Sequence, residues 1–408
     1  MKLEQDVSNG SKRKQIYKCD WLWQTGYYAK TKQKGGRGMR EGWEYKKLGD
    51  SCVIEYGTRV VQKKDGGTIY PVYGGGGETF RMDKYNRENC LVVARFAMSR
   101  TCVRYVTGKF FLNDSGLSIN AGKELLQSYL NHHILHLNDD IYNLGKGAAQ
   151  RNLDVNSFRN LIIAIPPLST QLSIVSELDK INELIRLKNE QLNDYDKLSQ
   201  SIFYEMFGDP VENEKGWDNS TIESVCSSIV RGPFGSALKK EFFVEPTNDT
   251  YKVYEQKHAI QKNHIIGSYY ITKEKFQELR RFEVFPGDII MSCSGTIGEF
   301  YQIPKEAEKG VMNQALLKFT LNENRTTTEF FMFLMNFIKN SFETKGTGLQ
   351  NIGSVKVIKS TILGLPPLPL QQTFAQRIEL IEKQKAEVQR TIADLETLLA
   401  SRMQYWFG

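Results

Sequence analysis

The amino-acid sequence predicts a two-headed α/β (α+β) protein, with two globular parts separated by a long antiparallel two-helix coiled coil in a pseudo-twofold internal repeat. Three observations predict it. One junction is written twice, 200 residues apart; each copy opens a long heptad-patterned stretch; and the blocks in front of both copies share a Trp–Cys pair at the same spacing.

The junction reads IAIPPLSTQ at 163–171 and LGLPPLPLQ at 363–371, so Ile162, Pro166, Pro167, Leu168 and Gln171 return as Ile362, Pro366, Pro367, Leu368 and Gln371. Without gaps, 162–208 and 362–408 share 11 identities in 47 positions, a duplication signal. Pro-Pro holds the residue before it extended and stops strand pairing, so an incoming strand ends and a helix begins a few residues later. Alternating steps of four and three then pick out Ile174, Leu178, Ile181, Ile185, Leu192, Tyr195 and Ile202. The second copy gives Phe374, Ile378, Ile381, Val388, Ile392, Leu395 and Leu399. That spacing makes each copy a long helix with one narrow apolar seam, about 36 residues and ~54 Å. Phe207-Gly208, followed by Asp209-Pro210, ends the first helix.

The preceding blocks look duplicated too. Trp43 and Cys52 match Trp217 and Cys226, with Leu48 facing Ile222. Strand-like runs follow at 100–113 and 282–303, then an apolar helix at 123–137 and 329–338, then a Gly-rich turn with glutamine at 145–153 and 346–352. Short connections favour an antiparallel pair of helices, because a parallel pair would force the second block to span a full helix length.

At 408 residues the chain suits several cores, and its 40% hydrophobic content is that of a folded protein. No stretch approaches the ~20 apolar residues that cross a bilayer and no signal-peptide core opens the chain, which points to the cytoplasm and no membrane partner. Six cysteines without a C-x-x-C read as mostly buried thiols. His132, His133 and His136 lack the acidic companion of a zinc helix and read as ordinary helix residues, so no metal site is expected. Residues 1–47 carry 12 Lys/Arg against 5 Asp/Glu, a local +7, whereas the remainder balances. A nucleic-acid partner would therefore meet local basic patches on 48–160 and 210–360.

Chemistry of its own is hard to find in this chain. YGGGGETF (73–80) has no Lys-Ser/Thr after it and is no P-loop, SCSGTIG (292–298) lacks the glycine of a nucleophile elbow, and both Pro-Pro pairs precede Leu, not the aromatic of an Asn/Asp-Pro-Pro-Tyr/Phe methyltransferase motif. No catalytic residue is expected. A non-catalytic scaffold whose heads bind proteins is the competing reading.

The paired PPL…Q helices, the FYEMFGDP ending, the GDIIMSCSGTIG segment and the G-x-G turns resemble the specificity subunit of type I restriction-modification systems, over residues 43–408. The resemblance implies target recognition domains at 43–160 and 210–360, each reading one half of a bipartite double-stranded DNA target. It implies helical spacer regions at 161–209 and 361–408 that set the gap and dock two methyltransferase (modification) subunits. Restriction/translocase subunits would join through the complex. S-adenosylmethionine would sit on the adenine methyltransferase, and ATP and Mg on the restriction subunit. Residues 1–42 depart from the pattern as a basic extension, readable as a DNA-contacting arm, a relic of recombination or a disordered tail.

DNA readers need donors and acceptors at groove edges and cations near phosphates. In the first head the candidates are Tyr73 and Gly75, whose loop would approach a phosphate, with Arg81, Arg95, Arg100 and Arg104. In the second they are Lys239, Lys240, Ser292, Ser294, Thr296, Asn313, Gln314, Gln350 and Asn351.

Overall fold

A computed structural model describes residues 40–148, 150–339, 344–345, 351–352 and 354–408, with backbone alone for 344–345 and 351–352. Two compact units emerge, Met1–Asn189 with Gln389–Gly408, and Glu190–Val388. Both divisions fall inside the long helices and not at the expected 160/161 and 360/361. The reason is packing: Ile174, Leu178, Ile181, Leu399 and Met403 share one buried cluster with Leu48, Leu91, Leu117 and Ile163.

In the first unit, β1 (Glu44–Lys47) is followed by β2 (Cys52–Tyr56), β3 (Tyr70–Gly74), β4 (Gly77–Met82), β5 (Arg87–Ala94), β6 (Val103–Leu112) and β7 (Gly116–Ala121). Six of these form a sheet of order β2-β7-β5-β6-β3-β4, in which only β3 and β6 run parallel. The run Cys90–Ala94 is buried at every residue, as an interior strand covered on both faces requires. Helix α1 (Gln127–His136) buries Tyr129, Leu130, His133 and Ile134, the i, i+1, i+4, i+5 stripe of a one-sided helix. The hairpin of β8 (Gly145–Lys146) and β9 (Asn152–Leu153) and the strand β10 (Ile162–Ile165) complete the unit, and β10 pairs with β1, Glu44 opposite Ile165.

Helix α2 (Leu168–Phe207) begins directly after Pro166-Pro167, not a few residues later, and Gln171 N donates to Pro167 O at 3.0 Å. Proline's fixed φ suits a first helical turn, and its missing N–H would have gone unpaired there anyway. The helix has 40 residues, about 60 Å, and Gly208 stops it at φ +70 with its N–H on Tyr204 O.

The second unit repeats this plan. β11 (Asp218–Thr221) pairs with a strand ending at a Pro-Pro, Asp218 opposite Leu365. After β12 (Cys226–Arg231), β13 (Tyr251–Tyr254), β14 (Tyr270–Ile271) and β15 (Glu283–Val284) come β16 (Ile289–Ser292), β17 (Phe300–Gln302), β18 (Gly310–Met312) and β19 (Leu316–Leu321). Helix α3 (Thr328–Ile338), the hairpin of β20 (Thr344–Lys345) and β21 (Asn351–Ile352), β22 (Ile362–Leu365) and α4 (Leu368–Phe407) follow. The single long strand β6 of the first unit is replaced here by β17 and β18. The sheet accordingly divides into β12-β19-β16-β17 and β14-β13-β18-β15. Parallel pairing survives the change: Val253 faces Val311 as Val72 faces Phe111.

The seam residues lie where these cores close. Ile174, Leu178, Ile181, Phe374, Ile378, Ile381, Val388 and Leu399 are buried, and Ile185, Leu192, Tyr195, Ile202, Ile392 and Leu395 are half-buried. The heptad steps miss Phe203 and Phe207, which pack edge-on against Phe374. Within the second unit, Asp196 meets Lys385 at 2.9 Å and Phe207 meets Phe374, so the helices run antiparallel. Glu177 receives both Arg402 and Trp406 Nε1, and Arg402 holds its carboxyl below the usual range.

Two further repeats tie each unit together internally. Gln171 is wholly buried, its Nε2 donating to Pro166 O and Glu124 O and its Oε1 accepting from Leu126 N. Gln371 does the same with Pro366 O, Arg325 O and Thr327 N, and Thr326 Oγ1 joins it. The carbonyls at the ends of the long helices are met by cations from just before Trp217 and Trp43. Lys215 Nζ donates to Glu205 O and Met206 O, and Arg40 donates to Tyr405 O and Trp406 O while lying over the Trp43 ring at 4.6 Å. The boundary expected at 42/43 therefore moves forward to include Arg40; residues 1–39 lie outside the described residues.

Replacing Gln371 with Leu strands Thr327 N and Pro366 O in an apolar setting, so the chain loses about 2–4 kcal/mol of stability, read as a lowered denaturation midpoint. Acid supplies a second test. His133 stacks on Phe407 at 4.7 Å, and burial pushes its imidazole from 6.5 down to about 3; His136, also burial-shifted, falls to about 4. The unfolded chain takes up protons below pH 6.5 that the folded chain refuses. Stability present above 6.5 is thus lost as pH falls, by up to about 1.4 kcal/mol per unit per histidine. His133→Leu, matching Leu334 of the second unit, should flatten the fall in melting temperature between pH 7 and 5.

Candidate nucleic-acid interface

One turn organises the same end of both units. Asn113 N donates to Tyr73 O, its Oδ1 accepts Ser115 N, and Gly116 N closes back on Asn113 O. Asn313, 200 residues on, repeats each bond with Tyr254 O, Ala315 N and Leu316 N. Gly57 and Gly232 pack so closely on these asparagines that a Cβ at either would collide with the Asn113 or Asn313 carbonyl. The loops after β2, β3, β5 and β7's leading turn in the first unit, and their counterparts in the second, are thereby gathered at one edge of each unit.

In the first unit that edge is arginine on aromatic. Arg95 lies over Phe96 at 4.4 Å and Tyr56 at 5.0 Å and donates to Asp114 O at 3.2 Å. Arg104 Nη2 donates to Gly75 O and Thr101 O, tying two loops together. Exposed Arg100 lies over Tyr142 at 5.0 Å, and Arg151 lies over the same ring at 4.8 Å. Arg95 spends one N–H on Asp114 O and Arg151 one on Tyr142 O, and a guanidinium plane held on a ring can turn its remaining donors to planar acceptors, the geometry that suits guanine edges and phosphates.

Several expected residues are elsewhere. Tyr73 is buried, its ring edge-on to Phe110 at 5.4 Å, because it lies within a strand flanked by β6 and β4. Gly75 is also buried and spends its N–H on Ser115 Oγ at 3.0 Å, which leaves none for a phosphate. Arg81 faces Pro71 at the other end of the β3–β4 hairpin and donates to Ile69 O, apart from Arg95 and Arg104. Arg151, Tyr56, Phe96 and Tyr142 join the edge without any local sequence signal; only the recurrence of Asn113 at 313 could have pointed to these loops.

In the second unit the edge carries Arg231, Phe234, Thr296 and Gln314, with Lys239 and Lys240 following along the first loop. Arg231 Nε donates to Gln314 O at 3.2 Å, and Thr296, Gln314, Lys239 and Lys240 are exposed. Ser294 is half-buried; Asn313 spends its Oδ1 inside the turn. Ser292 is wholly buried at the end of β16, its Oγ accepting Glu299 N, so it is withdrawn from the surface. Gln350 and the Asn351 side chain lie outside the described residues.

The buried cysteines and histidines of the described residues have structural surroundings. Burial pushes the Cys102 and Cys293 thiols up to about 12, far from thiolate chemistry. His132 pairs with Asp179 at 2.8 Å and His133 packs on Phe407. Among the described residues no group of three or more His, Cys, Asp or Glu side chains is placed to hold a metal, and no helix is long and apolar enough to cross a membrane.

Comparison with known proteins meets the same division of the chain. A type I restriction enzyme MjaX specificity subunit described from Methanocaldococcus jannaschii is 22% identical over 282 residues, 66% of this chain and 66% of that one, just under two thirds of its length. One from Haemophilus influenzae, S.HindORF215P, is 22% identical over 334 residues, 76% of this chain and 80% of that one. A solved structure reporting complex assembly and conformational transition of the type I R-M system has 18% identity and a TM-score of 0.56, covering 91% of this chain and 99% of that one; it shares the fold. The family model for the type I restriction modification DNA specificity domain matches twice, at residues 40–194 and 214–397, each match opening at the Arg40 or Lys215 end of a repeat. With both repeats matched, the chain belongs to the type I restriction modification DNA specificity domain family.

Proposed function

We propose that this chain is the DNA sequence-specificity subunit of a type I restriction-modification complex, each unit reading one half of a bipartite target through its Asn113 or Asn313 edge. The observation that carries the reading is that one turn, built from the same bonds in both units, presents unlike side chains: arginines on rings in the first, Phe, Gln, Thr and Lys in the second. A constant frame with variable contents is what two different base sequences ask of one fold.

The chain acts without catalysis of its own. Two methyltransferase subunits dock on the long helices, where Leu198 and Leu398, identical across the repeat, are both 46% exposed. Their S-adenosylmethionine, and the ATP and Mg of a restriction subunit, belong to those partners. The paired helices set the gap between the half-sites.

DNA affinity of the complex should fall steeply between ~50 and ~200 mM salt. Arg100→Ala and Arg151→Ala should each weaken binding and lower the log–log salt slope by roughly one, without loss of assembly. Salt-independent binding, or none, would instead favour a protein-binding scaffold.

A further inference from the structure

Among the described residues, Phe234 is the most exposed large apolar side chain, at 90%, ahead of Ile265 at 72%. It is no stray surface residue. The backbone that carries it is anchored on both sides: Gly232 N donates to Leu316 O against the Asn313 turn, Pro233 and Leu238 are buried, and Phe234 O accepts Ala237 N at 2.9 Å. A loop hydrogen-bonded on both sides thus holds a bare ring in water.

Its surroundings say what covers it. Arg231 lies three residues before and bonds Gln314 O, Lys239 and Lys240 follow, and Glu241 stands 3.7 Å from Lys239. An apolar protein pocket would have to dehydrate those cations. A DNA base step would not, since its flat apolar faces lie between two rows of phosphates. The first unit has no such ring: Gly57 matches Gly232, and the position two residues on is Arg59.

We infer that Phe234 is a positioning wedge, stacking on or entering a base step of the half-site that the second unit reads. The inference rests on the proposed DNA-reading function. The test uses the full chain with its methyltransferase, on duplexes of the mapped target carrying 2-aminopurine in turn at each A·T pair other than the methylated adenine. Wild type should brighten at one step in the second unit's half-site. Phe234→Ala should abolish that signal and weaken binding about tenfold with an unchanged salt slope, while Phe234→Trp keeps both. Salt-dependent binding without any Phe234-dependent signal overturns the wedge and leaves the DNA-reading function intact. Loss of methyltransferase assembly in Phe234→Ala, with DNA binding intact, overturns the wedge in favour of a protein contact. No DNA binding by wild type overturns both.

Discussion

The structure depends on one buried amide used twice. Where β10 and β22 end in Pro-Pro, the chain turns from strand to helix inside a core, and backbone carbonyls and amides there have no water to meet. Gln171 and Gln371 answer that need by joining two backbone segments to the long helix that carries them: the Pro-Pro carbonyl, and the chain leading into the head helix, from which they take one carbonyl and the amide of the residue just before the helix. Strand, head helix and long helix are thereby fixed at one point in each unit. A glutamine is suited to the task because a single side chain offers both a donor and an acceptor.

With the joint constant, the units are free to differ elsewhere. The first keeps one ten-residue strand, β6, where the second breaks it into β17 and β18 and inserts residues 303–309. The His133–Phe407 stack of one core is answered by phenylalanines 203, 207, 330 and 374 in the other. Even the helix ends agree in principle and differ in residue, Arg40 over rings in one and Lys215 in the other. Apolar volume and satisfied backbone are shared while most side chains away from the joint differ, which lets one duplicated fold carry two unlike surfaces.

Much of the scaffold was legible in the sequence because it rests on local periodicity. The Pro-Pro pairs, the heptad steps and the Trp–Cys spacing each act within a few residues of where they are written. Gln171 and Gln371 stood in the repeat as well, but their role depends on which distant carbonyls are buried, and spacing carries no information about that. The proposed recognition edge was less legible. A glycine- or serine-rich loop reads the same whether its amides face solvent or an internal hydroxyl, so Gly75 and Ser292 passed as surface groups. Arg100, Gln314 and Lys239 do lie exposed, while Arg151 and Phe234 needed the folded turn at Asn113 and Asn313 to be seen.

In the proposed function, two unlike surfaces on one repeated frame read two halves of a single target. Sequencing the methylated bases in a host that expresses this chain with its methyltransferase tests it most directly. The methylated motif should be asymmetric and in two parts around an unspecified spacer, and only one part should change when residues 210–360 are exchanged for those of another family member. A continuous palindrome, or a motif that survives the exchange whole, would contradict it.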